Sequence, residues 1–275
     1  MTGDENIGNE FNNFFCKIGP QLANNIPSID LDPLYFVTPG NNVFEFRNIT
    51  NAELVSVLKK TKACKAPGLD KISRKLLKAA GNCIIESLVY IFNLVLNTGI
   101  FPDEMKLAKV TPIYKTGDKA NCGNYRLISV ISAVAKTFEK IIYNQLSVFL
   151  NVNAIISKQQ LGFRPLHSTE TTLLQSTNQC GLVNMDDGLI NVFLFLDLKK
   201  AFDTVDHKIL LSKLERYGIR GTAFHLFQSY LYERKQICKL QHTMSRAEYI
   251  SCGVPQGSNL GPLLFLLYTR SYYRK

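Results

Sequence analysis

The 275-residue sequence has no Cys-x-x-C pair and no Cys/His cluster at zinc spacing. Its seven cysteines are odd in number, which argues against a zinc module and a fully paired disulfide framework. The thiols are expected to be reduced and mostly buried. The N-terminus reads Met1-Thr2-Gly3-Asp4-Glu5-Asn6, without the basic then apolar pattern of a secretory signal, so an intracellular chain, cytoplasmic or nuclear, is expected. The most apolar stretch, residues 83–96, carries Glu86 and Asn93 and falls short of bilayer-spanning length, which predicts a buried helix and no membrane. With 10 Pro and 17 Gly, both near average use, no fibrous or repeat reading is favoured.

What is present is a foldable, basic chain. A 46% hydrophobic, 20% charged composition supports a real core and excludes intrinsic disorder. Residues 1–50 hold two basic and six acidic residues, so the remainder carries 30 against 16, a net +14. A body this basic attracts polyanions by phosphate neutralisation and counterion release, although a solvated basic surface has the same composition.

Residues 1–49 carry turn signals (Gly19-Pro20, Ile26-Pro27, Thr38-Pro39-Gly40) and read as an irregular leader. Thr50-Asn51-Ala52-Glu53 fits a capping box before Leu54, Val55 and Leu58 at helical spacing. Helices are expected over about 73–80 and 83–97, closed by Gly99 and Pro102. Val110-Thr111-Pro112-Ile113-Tyr114 reads as an edge strand entering the basic turn at Lys115. From Val134 a 3.6 period marks a long amphipathic helix, and Ser168 or Thr169 caps another through about 179. Residues 189–196 form a continuous β-prone apolar run ending at Asp197, as a strand buried on both faces would. A helix capped by Asp206, a helix over 223–232, strands over 236–240 and 248–252, and a helix from Pro262 follow. The alternation gives an α/β (α+β) fold in which helices dominate.

Three features could carry chemistry. Asp197 puts a carboxylate at the end of a buried strand, a placement that usually needs a cation or hydrogen bonds, though a strand-end Asp is commonly a cap. Gly253-Val254-Pro255-Gln256-Gly257-Ser258 allows close backbone approach to a ligand around the donor and acceptor of Gln256, and equally makes a strand-to-helix turn. Lys115 and Arg126, with Lys109 and Lys119 nearby, could hold phosphate oxygens or simply form a solvated basic loop. Asp203 and Asp206 read as turn and N-cap residues. The paired aspartates in Asn184-Met185-Asp186-Asp187-Gly188 read as a turn.

In order and combination these segments resemble the reverse transcriptase domain of non-LTR (LINE-like) retrotransposons. Five segments carry the likeness: Lys65-Ala66-Pro67-Gly68-Leu69-Asp70; Thr111-Pro112-Ile113-Tyr114-Lys115 with Asn124-Tyr125-Arg126-Leu127-Ile128-Ser129; Gly162-Phe163-Arg164 with His167-Ser168-Thr169; Phe195-Leu196-Asp197-Leu198-Lys199-Lys200-Ala201-Phe202-Asp203; and the Gly253 to Ser258 loop. The resemblance implies a right-hand RNA-directed DNA polymerase, with fingers over residues 50–185 and a partial palm over 186–275. It implies an RNA template, a DNA primer, deoxynucleoside triphosphates and two Mg²⁺ ions in phosphoryl transfer.

By that likeness Asp197 is the first metal-binding carboxylate and the Leu198 carbonyl touches the nucleotide-side ion. Phe202 lies under the sugar and excludes a ribose 2′ hydroxyl, and Gln256 and Gly257 face nucleotide and template. Lys115 and Arg126 take the triphosphate, and Arg164 faces the template. Two departures stand out: Leu127 where the family usually has Pro, and no aromatic-Ala-Asp-Asp hairpin or thumb after Tyr268. One carboxylate does not space two ions, so the expectation is a truncated, inactive polymerase, and the alternative is a catalytically dead remnant that binds nucleic acid.

Overall fold

The computed structural model describes residues 3–25, 32–35, 37–62, 65–157, 159–178, 190, 192 and 194–270. The expected capped helices form where their signals lie. Helix α1 spans Asp4–Asn24, α2 Asn51–Lys60, α3 Arg74–Ala80, α4 Ile85–Thr98, α5 Ala133–Val152 and α6 Thr169–Ser176. Then come α7 (His207–Arg216), α8 (Gly221–Leu231) and α9 (Gly261–Thr269). Ser73, Ser132, Ser168 and Asp206 each accept an early backbone N–H of the helix that follows. Gly99 closes α4 with a left-handed φ of 70°. At α2 the capping box is half-formed: Thr50 accepts from Glu53 N at 3.2 Å, but the Glu53 carboxylate forks onto Arg47 at 2.8 and 2.9 Å. A bidentate guanidinium outcompetes one backbone N–H for a carboxylate.

Strands β1 (Ala108–Tyr114) and β2 (Tyr125–Ile131) pair antiparallel along their whole length. Residues 108–110 of β1 also pair in parallel with β3 (Lys235–Leu240). Strands β4 (Thr243–Met244) and β5 (Glu248–Tyr249) both pair with β3. The edge expected for the 110–114 strand is therefore half right. Pro112 lies past the three residues paired with β3, so its missing N–H falls on the open half of an otherwise interior strand.

One core joins α2, α4, α5, α7, α8 and α9, with Phe138, Ile141, Ile142, Leu146 and Leu150 of α5 through its centre. Phe92 of α4 stacks on Phe138 with ring centroids 4.6 Å apart. A second core lies on one face of the sheet, where Phe11 and Phe15 of α1 cover Ala108, Val110, Ile131 and Cys238. Asn12 is buried within it, donating to the carbonyls of Gln236 (3.1 Å) and Arg246 (2.8 Å) and accepting from Gln236 Nε2 (3.0 Å). These contacts correct the irregular leader expected over 1–49. Its first half is a 21-residue helix that runs through Gly19 and Pro20, the pair read as a turn signal.

Three further expectations change. The 189–196 strand is not seen in its described residues: Ile190, Val192, Leu194 and Leu196 are exposed and belong to no sheet, while Leu189, Asn191 and Phe193 lie outside the described residues. A strand needs partners on its hydrogen-bonding edges, and no described strand pairs with this run. The apolar helix over 83–97 is amphipathic rather than buried, with Phe92 and Leu96 inside and Tyr90, Ile91 and Leu94 outside. The continuous helical stretch Arg74–Thr98 is long and apolar enough to cross a membrane by length and composition, and its inner face packs on α2 and α8. Among the described cysteines only Cys238 is buried, and Cys83 is exposed. The Asp186-Asp187 turn lies outside the described residues.

Asp206 accepts from Ile209 N at 3.0 Å and Leu210 N bonds its carbonyl at 2.9 Å. Asp206→Ala is expected to cost about 1 kcal/mol, read as a fall in the thermal unfolding midpoint; an unchanged midpoint would remove Asp206 as the cap.

Candidate functional site

Residues far apart in sequence converge beside the sheet. After the exposed run carrying Asp197 and Leu198, the chain turns at Lys200 in left-handed conformation, and Asp203 N bonds the Lys200 carbonyl at 2.8 Å. The turn docks on the glycine-rich loop: Val254 N donates to Phe202 O at 2.8 Å and Gly253 N to Val205 O at 2.7 Å. Gly253 is required there, since its φ is +87° and a Cβ would press on Phe202 O and Asp203 Cα at about 3 Å. Gln256 Nε2 then donates to Asp203 Oδ1 at 2.7 Å across 53 residues.

Asp203, read from sequence as a turn residue, is thus a side-chain partner of the loop. Burial raises its carboxyl above the ordinary range, against the opposing effects of the Gln256 hydrogen bond and the Lys200 charge. No local sequence signal marks it, because the partner is supplied by the tertiary fold. Asp206 is the N-cap it was read as.

Phe202 packs between the loop that carries Phe163 and the last helix, 5.7 Å from the Phe163 ring and 5.0 Å from Phe265. It is therefore a half-buried aromatic with core contacts, held at a fixed place beside Asp203. Arg164, one residue after Phe163, donates Nη1 to the carbonyls of Ser157 (2.9 Å) and Gln160 (3.3 Å), which fixes its own loop.

The β1–β2 hairpin presents the basic pair. Ile113 lies opposite Arg126 and Lys115 N bonds Asn124 O at 2.9 Å, so Lys115 and Arg126 are diagonal neighbours on one face. Lys109 lies on the same face and donates to Pro67 O at 2.8 Å, joining the Lys65 to Asp70 loop to the sheet. The opposite face of the hairpin meets α1, where Phe11 packs edge-on to Tyr125 at 4.6 Å. Both Lys115 and Arg126 are exposed. Lys200 is near enough to feel Lys115: its ammonium is lowered first by burial and then by Lys115 and Lys199, with Asp203 opposing. Lys200 itself stands over the Phe15 ring of α1, 5.2 Å from its centroid.

A cavity of about 40 Å³ beneath the loop is lined by Phe15 and Cys16 of α1 together with Ser129, Asp203, Gly253 and Gln256. It has room for little more than water, so any larger substrate lies outside it on the open surface. Gly257 abuts β2, where a Cβ would stand 2.9 Å from Ser129 O, so the apex stays low and exposed.

Among the described residues no group of three His, Cys, Asp or Glu side chains could hold a metal. Asp197 stands alone on an exposed segment and Asp203 is engaged by Gln256. The described residues therefore do not fit a two-ion site, which requires several hard oxygen ligands around each ion.

His207, another residue that the sequence left unmarked, donates from Nε2 to Gly253 O at 2.7 Å. Its imidazole is held below the usual value of 6.5 chiefly by burial. The unfolded chain then binds a proton that the folded chain refuses, so stability falls as pH drops through 6.5 towards the depressed folded value. His207→Gln keeps a donor and removes the titration. Urea midpoints at pH 7.5, 6.5 and 5.5 are expected to fall more steeply in the wild type than in this variant; parallel profiles would refute the assignment.

Comparison with known proteins gives a consistent answer. Residues 113–275 match the family described as reverse transcriptase (RNA-dependent DNA polymerase). The chain is 32% identical over 233 residues to a probable RNA-directed DNA polymerase from transposon BS of Drosophila melanogaster, covering 84% of this chain and 26% of that protein. It is 32% identical over 235 residues to the RNA-directed DNA polymerase from mobile element jockey of the same organism, covering 85% of this chain and 25% of that protein. It is 29% identical over 168 residues to a Pol polyprotein from type-1 retrotransposable element R2 of Popillia japonica, covering 61% and 23%. The chain spans about a quarter of the length of these relatives.

Proposed function

Because the chain belongs to the reverse transcriptase family, as a non-LTR retrotransposon polymerase domain, we infer that it holds a DNA primer on an RNA template together with a deoxynucleoside triphosphate. The single observation that carries this is the convergence around the Asp203–Gln256 hydrogen bond of segments more than 50 residues apart. In support, Val254 N bonds Phe202 O beside that hydrogen bond, and the exposed Gly257 follows Gln256 directly. An open basic surface suits a polymeric anion better than the enclosed pocket of a small-molecule enzyme.

In this reading Phe202 packs under the sugar of the incoming nucleotide and discriminates against a 2′ hydroxyl by bulk. Gln256 and Gly257 touch the nascent pair, Lys115 and Arg126 take triphosphate oxygens, and Arg164 lies on the template side. Asp197 and the Leu198 carbonyl are the oxygen donors available to a Mg²⁺ ion, which in this family supplies charge neutralisation for phosphoryl transfer. Residues 50–185 act as fingers and 186–275 as part of the palm. The site of action is intracellular, in the cytoplasm or nucleus.

The second reading is a catalytically dead remnant that binds nucleic acid, in keeping with the lack, among the described residues, of any group of three His, Cys, Asp or Glu side chains set to hold a metal. Purified wild type and Asp197→Ala, given a primed RNA template, Mg²⁺ and deoxynucleotides, are both expected to bind and neither to incorporate. Incorporation by the wild type that is lost in the variant would overturn the inert reading and establish Asp197 as catalytic.

A further inference from the structure

The glycine-rich loop is tied down at both ends, and the tie at its far end is a buried carboxylate. Glu139 lies in the middle of α5 with no exposed surface. An apolar residue would fill that position at far lower desolvation cost. Its two oxygens are each engaged: Oε1 accepts from Tyr230 OH at 2.8 Å, and Oε2 accepts from Asn259 N, the residue directly after the loop, at 2.7 Å. Asn259 Nδ2 also donates to Lys136 O on α5 at 2.6 Å.

Burial raises the Glu139 carboxyl above the ordinary range, and a guanidinium behind Tyr230 only partly offsets this. Arg234, 2% exposed, donates Nη1 to Tyr230 O at 3.1 Å and stacks 4.7 Å from the Tyr230 ring. Inside the loop, Ser258 Oγ donates to Pro255 O and accepts from Gly261 N, both at 2.8 Å. At the near end His207 holds Gly253 O. Between these anchors only the apex, Gln256 and Gly257, faces outward. Asn259 and Glu139 are 120 residues apart, so the tie couples the helix after the β1–β2 hairpin to the loop beside Phe202.

We propose that Glu139 is a positioning residue: its carboxylate, relayed through the Asn259 amide and braced by Tyr230 and Arg234, sets the height of the Gln256–Gly257 apex against bound template and nucleotide. The proposal rests on the polymerase reading for what the apex touches, and on the hydrogen-bond geometry alone for the clamp itself. Buried hydrogen-bonded networks specify one arrangement of the groups that they join, which is what a template-contacting loop requires.

The test separates the two. Hydrogen exchange on the purified chain is compared among wild type, Glu139→Met, Glu139→Gln and Tyr230→Phe. Glu139→Met removes both acceptors at similar volume and is expected to speed exchange across residues 256–261 by about tenfold, with α5 and α8 still protected. Glu139→Gln retains an acceptor for Asn259 N and is expected to restore most of the protection. Tyr230→Phe removes only the brace and is expected to leave the loop within about threefold of wild type. In parallel, each protein is saturated with a primed RNA template carrying 2-aminopurine at the templating position. Glu139→Met is expected to change the fluorescence of the bound state while duplex affinity stays within about twofold.

Unchanged loop exchange in Glu139→Met, exchange raised equally along the chain, or no recovery in Glu139→Gln would overturn the clamp. Should Glu139→Met not fold, Glu139→Gln and Tyr230→Phe decide: loop exchange raised about tenfold in either one contradicts the proposal. Failure of the wild type to bind the duplex would remove the polymerase reading and leave the exchange results to judge the clamp. Loop release with unchanged 2-aminopurine signal would refute the positioning role.

Discussion

Replacing Gly19 by valine is expected to lower the stability of the chain by about 3 kcal/mol, read as a shift of the urea midpoint at unchanged slope. Gly19 packs where α1 crosses the Asp203 turn, and a Cβ there would collide with the Asp203 carbonyl oxygen and Cys252 Sγ. The carbonyl is backbone and already accepts the Cys252 thiol at 3.2 Å, so it cannot rotate aside. The helix must lift, uncovering Phe11 and Phe15 and unpairing Asn12 from Gln236. Gly8→Ala on the same helix is the contrast. Its Cβ would meet neighbours at 3.7–3.9 Å, ordinary contact, and alanine favours the helix interior by up to about 1 kcal/mol. Opposite signs for the two substitutions would locate α1; equal tolerance of both would contradict its docking.

Removing the hairpin charges together, Lys115→Ala with Arg126→Ala, is expected to weaken binding of a labelled deoxynucleoside triphosphate to the protein–primed-template complex by at least about tenfold. The affinity for the primed template itself is expected to stay within about threefold. Both residues are exposed on one hairpin face, and neither takes part in the core. Their loss should therefore leave the unfolding midpoint alone. Anisotropy of the labelled nucleotide checks the first expectation and that of labelled template the second. Unchanged nucleotide affinity would remove the pair from the triphosphate site, and an equal loss of both affinities would assign it to the template.

What could be read in the sequence follows the range of the interactions. Helix ends are local chemistry, and Thr50, Ser168, Asp206 and Gly99 mark them because a cap needs only its own first or last turn. The strand expected over 189–196 depended on partners from elsewhere, and its described residues pair with none of the described strands. Helix α1 is masked in the sequence by Gly19 and Pro20, which read locally as a turn. Gly19 instead permits a close crossing and Asn12 supplies the buried hydrogen bonds. Of the site, Phe202 and Gln256 were legible by resemblance, and the structure brings their segments together. Asp203, His207 and Glu139 were not legible, since each owes its role to a partner 46 to 120 residues away.

The most direct test of the central claim is where a bound primer terminus lies. A DNA primer carrying a photoreactive group on its 3′ nucleotide, annealed to an RNA template and bound to the wild-type chain, is irradiated, and the cross-linked peptides are identified. Cross-links to the segment holding Asp197 to Asp203 or to the Gly253 to Ser258 loop, lost at high salt, are the predicted result. Cross-links confined to the lysine-rich surface of α2 and α3, or none at a salt concentration where the duplex is bound, would contradict it.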